Sequence, residues 1–117
     1  MDIRFKSKKL EKSLGSAQGR TKLGTKRARL LMRRLDLLCS AQTLGDLLPP
    51  YSGPSRCHEL TEGIRAQQKQ LSVDLDHPYR LIFAPDHHPL PLRDEGGLDW
   101  FKVKTIIILG VEDTHDK

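Results

Sequence analysis

The longest purely aliphatic run in the sequence is four residues, Ile106 to Leu109, far short of the roughly 20 apolar residues a membrane-crossing helix needs. The opening stretch MDIRFKSKKL lacks the apolar core of a secretion signal. Together these absences predict a cytoplasmic protein with no membrane partner. Cysteine is scarce: Cys39 falls in a helical pattern and Cys57 beside a strand pattern. Two such residues have neither the number nor the spacing of a disulfide framework or a zinc site, so both read as reduced packing residues. A Gly-rich phosphate loop, a serine-nucleophile motif and paired zinc spacing are also missing. His87-His88 has no third spaced ligand, and no metal or other cofactor is expected. For so small a chain, phosphodiester transfer or no catalysis at all remains.

What is present is charge, unevenly spread. The chain has 117 residues and a net charge of +5, a size that suits one domain spanning residues 1–117 with a single core. Residues 1–34 hold twelve Lys and Arg against Asp2 and Glu11, a balance of +10, whereas residues 35–117 carry −5. Such a block marks either a solvated helix face or a surface for a phosphate-rich or acidic partner, because clustered cations release condensed counterions on binding. Lys8, Lys9, Lys12, Lys22, Lys26, Arg29 and Arg33 are its candidate contact residues for such a partner.

The patterning predicts an α+β domain. DIRFK alternates Ile3 and Phe5 with charged neighbours, as a short strand does. Ser7 stands as an N-cap before KKLEKSL, which Gly15 ends. From Thr21 to about Ser40, Ala28, Leu31, Leu35 and Leu38 repeat at helical steps, with Leu30 and Leu37 widening the apolar stripe. Thr43 and Asp46 form a weak capping pair before Pro49-Pro50. RCHEL is a short strand, and QLSVDLD and YRLIF, separated by His77-Pro78, form an antiparallel hairpin. Residues 85–102, with three prolines and Gly96-Gly97, read as a long loop. VKTIIILGVED reads as a central strand apolar on both faces. The expectation is two N-terminal helices on one face of a small, mostly antiparallel sheet of four to five strands.

Alternation along YRLIF puts Tyr79, Leu81 and Phe83 on one strand face and Arg80 with Ile82 on the other. Arg80 then either pairs with a carboxylate such as Asp74 on the neighbouring strand or points into a groove, where arginine suits planar phosphate recognition. His58 in RCHEL and His115 in EDTH are candidates for acid and base roles near neutral pH.

RCHEL, LSVDLDHPYRLIFAP and the closing VEDTH together resemble the RelE/ParE superfamily of bacterial toxins, in its HigB-like branch of plasmid maintenance system killer proteins. The resemblance covers nearly the whole chain and implies a RelE-like fold. Arg80 matches the family arginine that contacts the scissile phosphate, His58 a histidine of the second strand, and Asp113 and His115 the two ends of the C-terminal Asp-Tyr-His. Thr114 departs from the pattern, standing where those toxins carry a tyrosine that stacks on a base, a contact typically worth about 1–3 kcal/mol. The resemblance implies the toxin of a type II toxin–antitoxin system, acting as a ribosome-dependent, metal-independent messenger RNA endoribonuclease. Its partners would be the ribosome, messenger RNA and a cognate antitoxin, the last in a hetero-oligomer. One histidine would deprotonate a ribose 2′-hydroxyl, Arg80 would stabilise the phosphate, and the other histidine would protonate the leaving 5′-oxygen. Two alternatives stay open: a gyrase-inhibiting toxin, and a member that binds antitoxin or RNA without cleaving.

Overall fold

The computed structural model describes residues 1–49, 51 and 53–113. The chain runs β1 (Asp2–Phe5), α1 (Lys8–Gly15), α2 (Ala17–Arg20), α3 (Thr25–Ser40), β2 (His58–Glu59), α4 (Gly63–Gln67), β3 (Leu71–Asp74), β4 (Tyr79–Pro85) and β5 (Thr105–Asp113), with short 3-10 turns between. The class is α+β, as the patterning predicts, and the five strands form one mixed, open sheet in the order β1-β5-β4-β3-β2. Only the β1–β5 pair is parallel; the other three are antiparallel.

Local chemistry explains the helix ends. The Ser7 hydroxyl accepts the Leu10 amide at 3.1 Å, so α1 starts there. Ser16 closes α1 and caps α2, accepting the Gly19 amide at 3.0 Å. The long helix begins at Thr25 rather than at Thr21, because residues 21–23 wind as a 3-10 turn and Gly24 then takes a φ of +89° that interrupts the winding. Leu31 and Leu38 of α3 are fully buried, and with Leu14 they belong to one cluster with Leu71, Val73, Leu81, Phe83, Ile106 and Ile108 of the sheet. The alternate residues of three strands thus meet the apolar stripes of two helices.

Three expectations change. β5 is interior to the sheet, but only Ile106 and Ile108 are fully buried while Ile107 and Leu109 are partly exposed; the long helices pack on one face alone. Residues 85–102 are not an open loop. A turn closes from Arg93 to Gly97, Leu92 bridges Leu98, and Leu98 and Trp100 enter the core. The Trp100 indole N–H donates to Glu59 at 2.9 Å, which satisfies the one polar group of a buried ring. Finally, α4 occupies a stretch for which the sequence pattern predicts no helix. Its five residues are too short for a periodic signal.

Phe83 is completely buried at the centre of this cluster. Phe83→Ala is expected to lower the unfolding free energy by about 3–5 kcal/mol, the combined loss of transfer energy and packing. Urea titration followed through the single tryptophan, Trp100, measures it.

Candidate active site on the second face of the sheet

The face turned away from α1 and α3 is built by register. Arg80 lies directly opposite Asp74 on β3 and opposite Glu112 on β5, while Ile82 lies opposite Ser72, which in turn faces His58 on β2. Directly opposed residues share a face, so His58, Ser72, Asp74, Arg80, Ile82 and Glu112 are one group. Above them opens a pocket of about 340 Å³ lined by His58, Glu62, Arg65, Arg80 and Ile82 among others. Ile82, buried, lies at its floor, and the buried Ser72 sits beneath His58.

A bulge decides which acid stands beside Arg80. The ladder between β4 and β5 slips between Ile82 and Phe83, where Ile82 pairs with Gly110 but Phe83 with Ile108. Leu109 is the extra residue, and Gly110 takes a φ of +151° to admit it. In unbroken register Val111 would oppose Arg80. The slip brings Glu112 there instead, and sets Asp113 opposite Tyr79, on the other face from Arg80.

Both readings of Arg80 apply together. It lines the pocket, and its Nε lies 3.5 Å from Asp74 Oδ1. Asp74 also draws Arg56 to 3.6 Å of its second oxygen, and its main-chain carbonyl accepts the Arg34 Nε–H from α3 at 2.6 Å. Three guanidiniums therefore converge on one residue. Among the described residues, Oδ1 nevertheless accepts no hydrogen bond and is buried, so the attraction to Arg80 is ionic and leaves the donors of Arg80 uncommitted to a hydrogen bond at that oxygen. Burial pulls the Arg34 guanidinium below its ordinary value, partly offset by Asp74. Arg65 reaches from α4 to Glu112 at 2.6 Å, closing the other side of the pocket.

His58 is oriented by both nitrogens. Nδ1 lies 2.7 Å from the Arg56 carbonyl and Nε2 lies 3.4 Å from the Ser72 hydroxyl. A carbonyl only accepts, so Nδ1 carries the proton, and Nε2 of the neutral ring is the basic nitrogen. Ser72 is completely buried; its hydroxyl orients the ring and is out of a substrate's reach. The residue that holds His58 is itself unusual. Arg56 has a φ of +49°, a left-handed conformation that costs a non-glycine residue about 1–2 kcal/mol.

Of the residues the sequence singles out, the structure brings His58 and Arg80 to one pocket and leaves Asp113 on the opposite face. His115 and Thr114 lie outside the described residues. Lys8, Lys9 and Lys12 on α1, Lys22 in the turn, and Lys26, Arg29 and Arg33 on α3 are all exposed, and none of them is in an ion pair among the described residues. Arg27 and Arg34 of the same basic block behave differently: Arg27 forks onto Asp76 at 3.0 and 3.1 Å and stacks over the Tyr79 ring at 3.4 Å. Arg56, Arg65 and Glu112 escape sequence reasoning, although Gly110 inside a strand pattern is a bulge signal that points to the changed facing of Glu112. Cys57 is buried behind His58, as a packing residue, whereas Cys39 is exposed, against expectation, because α3 turns that position outward. Among the described residues no three His, Cys, Asp or Glu side chains gather as metal ligands, and no helix is long and apolar enough to cross a membrane. No protein-family model matches the chain, and no curated protein or solved structure matches it significantly.

Gly110→Ala is expected to destabilise the fold by about 1–3 kcal/mol, since a side chain is strained at that φ; thermal melting by circular dichroism checks it. Burial pushes the Cys57 thiol up to about 12. A thiol-reactive dye at pH 8 is therefore expected to label Cys39 alone in the native protein and both cysteines in denaturant. Because the folded thiol holds its proton more tightly than the unfolded one, this group's contribution to stability is complete below its unfolded value. It falls away as pH rises toward 12.

Proposed function

We propose that the chain is a RelE-like toxin of a type II toxin–antitoxin system that cleaves ribosome-bound messenger RNA. The observation that carries this reading is the pairing of His58, whose Nδ1 is fixed as a donor to the Arg56 carbonyl, with Arg80 in the same pocket. A fixed tautomer makes Nε2 the basic nitrogen, held only by a long 3.4 Å contact to Ser72, and Arg80 offers a guanidinium to a phosphate. The open mixed sheet with helices against one face supports the α+β class that a RelE-like toxin would need.

In this mechanism the ribose 2′-hydroxyl displaces the long 3.4 Å contact from the Ser72 hydroxyl, and His58 Nε2 takes its proton. The 2′-oxygen attacks the adjacent phosphorus as the P–O5′ bond breaks, giving a 2′,3′-cyclic phosphate and a 5′-hydroxyl. Arg80 stabilises the charge on the non-bridging oxygens. The proton for the leaving oxygen is assigned to His115 by the family pattern, which lies outside the described residues. Asp113, on the Tyr79 face, has no direct part in the Arg80 pocket. The exposed Lys8, Lys9, Lys12, Lys22, Lys26, Arg29 and Arg33 supply the salt-dependent contacts to ribosomal RNA, and an antitoxin would cover part of this basic surface.

The ion pairs that hold Arg80 and Arg65 favour a second reading, in which the pocket is structural and the protein binds RNA or antitoxin without cleaving. Cleavage in a purified translation system separates the two. On the nuclease reading, wild-type protein cuts messenger RNA only with ribosomes present, and His58→Ala and Arg80→Ala each lower the rate by about 10²–10⁴. Intact RNA at protein concentrations that arrest growth would sink the nuclease reading.

A further inference from the structure

Arg56 is held where its backbone is strained and where its side chain gains little. Its φ of +49° is one that glycine or asparagine adopts far more readily. Its side chain is 70% exposed, and its ion pair to Asp74 at 3.6 Å, the one it makes among the described residues, is too open to compensate. The Arg56 carbonyl that orients His58 would be supplied equally by any residue in that conformation. Among the described residues, nothing in the folding asks for arginine there.

The guanidinium is nonetheless well placed. Arg56 approaches Asp74 Oδ2 while Arg80 approaches Oδ1 of the same carboxylate. The two cations therefore flank Asp74 at the edge of the pocket, one half-buried and one open to solvent. The two cations approach different oxygens of Asp74, so a strand with successive phosphates presents an anion to each.

We propose that Arg56 is a second phosphate-binding residue, taking the backbone phosphate next to the one held by Arg80, so that the site is built for a single-stranded polynucleotide rather than a mononucleotide. This rests on the nuclease reading for its substrate class. Strain retained at an exposed residue is then the cost of placing a cation beside the pocket.

The test uses Arg56→Gly and Arg56→Asn, both of which suit a positive φ. The probes are a short single-stranded oligonucleotide with 2′-O-methyl riboses, which cannot be cleaved, and adenosine 5′-monophosphate. Fluorescence anisotropy and competition measure binding over a salt series, with Arg80→Ala as reference. Both Arg56 variants are expected to melt at or above the wild-type temperature, to bind the oligonucleotide about three- to tenfold more weakly, and to lower its log–log salt slope by about 0.7, one single-strand phosphate contact. Mononucleotide binding is expected to stay unchanged. Wild-type oligonucleotide affinity and slope in both variants would overturn the inference alone, as would equal weakening of both ligands or a lower melting temperature in both. Failure of the wild type to bind the oligonucleotide, or undiminished binding by Arg80→Ala, would remove the nuclease reading and this inference together.

Discussion

The ladder between β4 and β5 is the constraint on which the rest of the molecule depends. It joins the parallel β1 edge to the antiparallel half of the sheet, and its one-residue slip at Leu109 and Gly110 divides β5 into two segments of opposite facing. Before the slip Ile106 and Ile108 feed the core; after it Glu112 stands beside Arg80. A sheet has a side-chain period of two, so a single inserted residue exchanges the contents of its faces. Glycine at 110 permits the exchange because no Cβ resists the backbone angle.

The basic first third of the chain serves two purposes that its composition does not separate. Arg27 and Arg34, on the side of α3 near the hairpin, bind Asp76 and the Asp74 carbonyl and so tie the long helix to the β3–β4 turn. The stacking of Arg27 over Tyr79 strengthens the same junction. The other seven cations singled out there, free of ion pairs among the described residues, are left to solvent or to a partner. Charge that a protein spends on its own packing is not available for steering, so the effective binding surface is smaller than the count of Lys and Arg suggests.

The pocket is electrically balanced rather than simply positive. Asp74 restrains Arg56 and Arg80, Glu112 restrains Arg65, and Ser72 with the Arg56 carbonyl restrains His58. Such opposed pairs keep the cations in place without a ligand, and the absence of a hydrogen bond at Asp74 Oδ1 makes the Arg80 pairing one that an anion with better geometry can replace. Preorganisation of this kind is what stabilisation of developing charge requires.

The sequence by itself determined the elements whose physics is local. Helical spacing marked the α3 stripe, a serine hydroxyl marked the start of α1, and period-two alternation marked the β3–β4 hairpin with Arg80 and Ile82 on the face away from the core. It also placed His58 in a short strand and left Arg80 between a carboxylate such as Asp74 and a groove, two readings that the sheet register then joined. Tertiary structure alone decided what depends on partners distant in the chain. It carried Leu98 and Trp100 from an apparent loop into the core, wound residues 63–67 into a helix over the pocket, separated the structural arginines of α3 from the exposed ones, and put Glu112 rather than Asp113 beside Arg80. Spacing is inherited from neighbours a few residues away, whereas burial and facing are set by strand register and layer packing, which no local window contains.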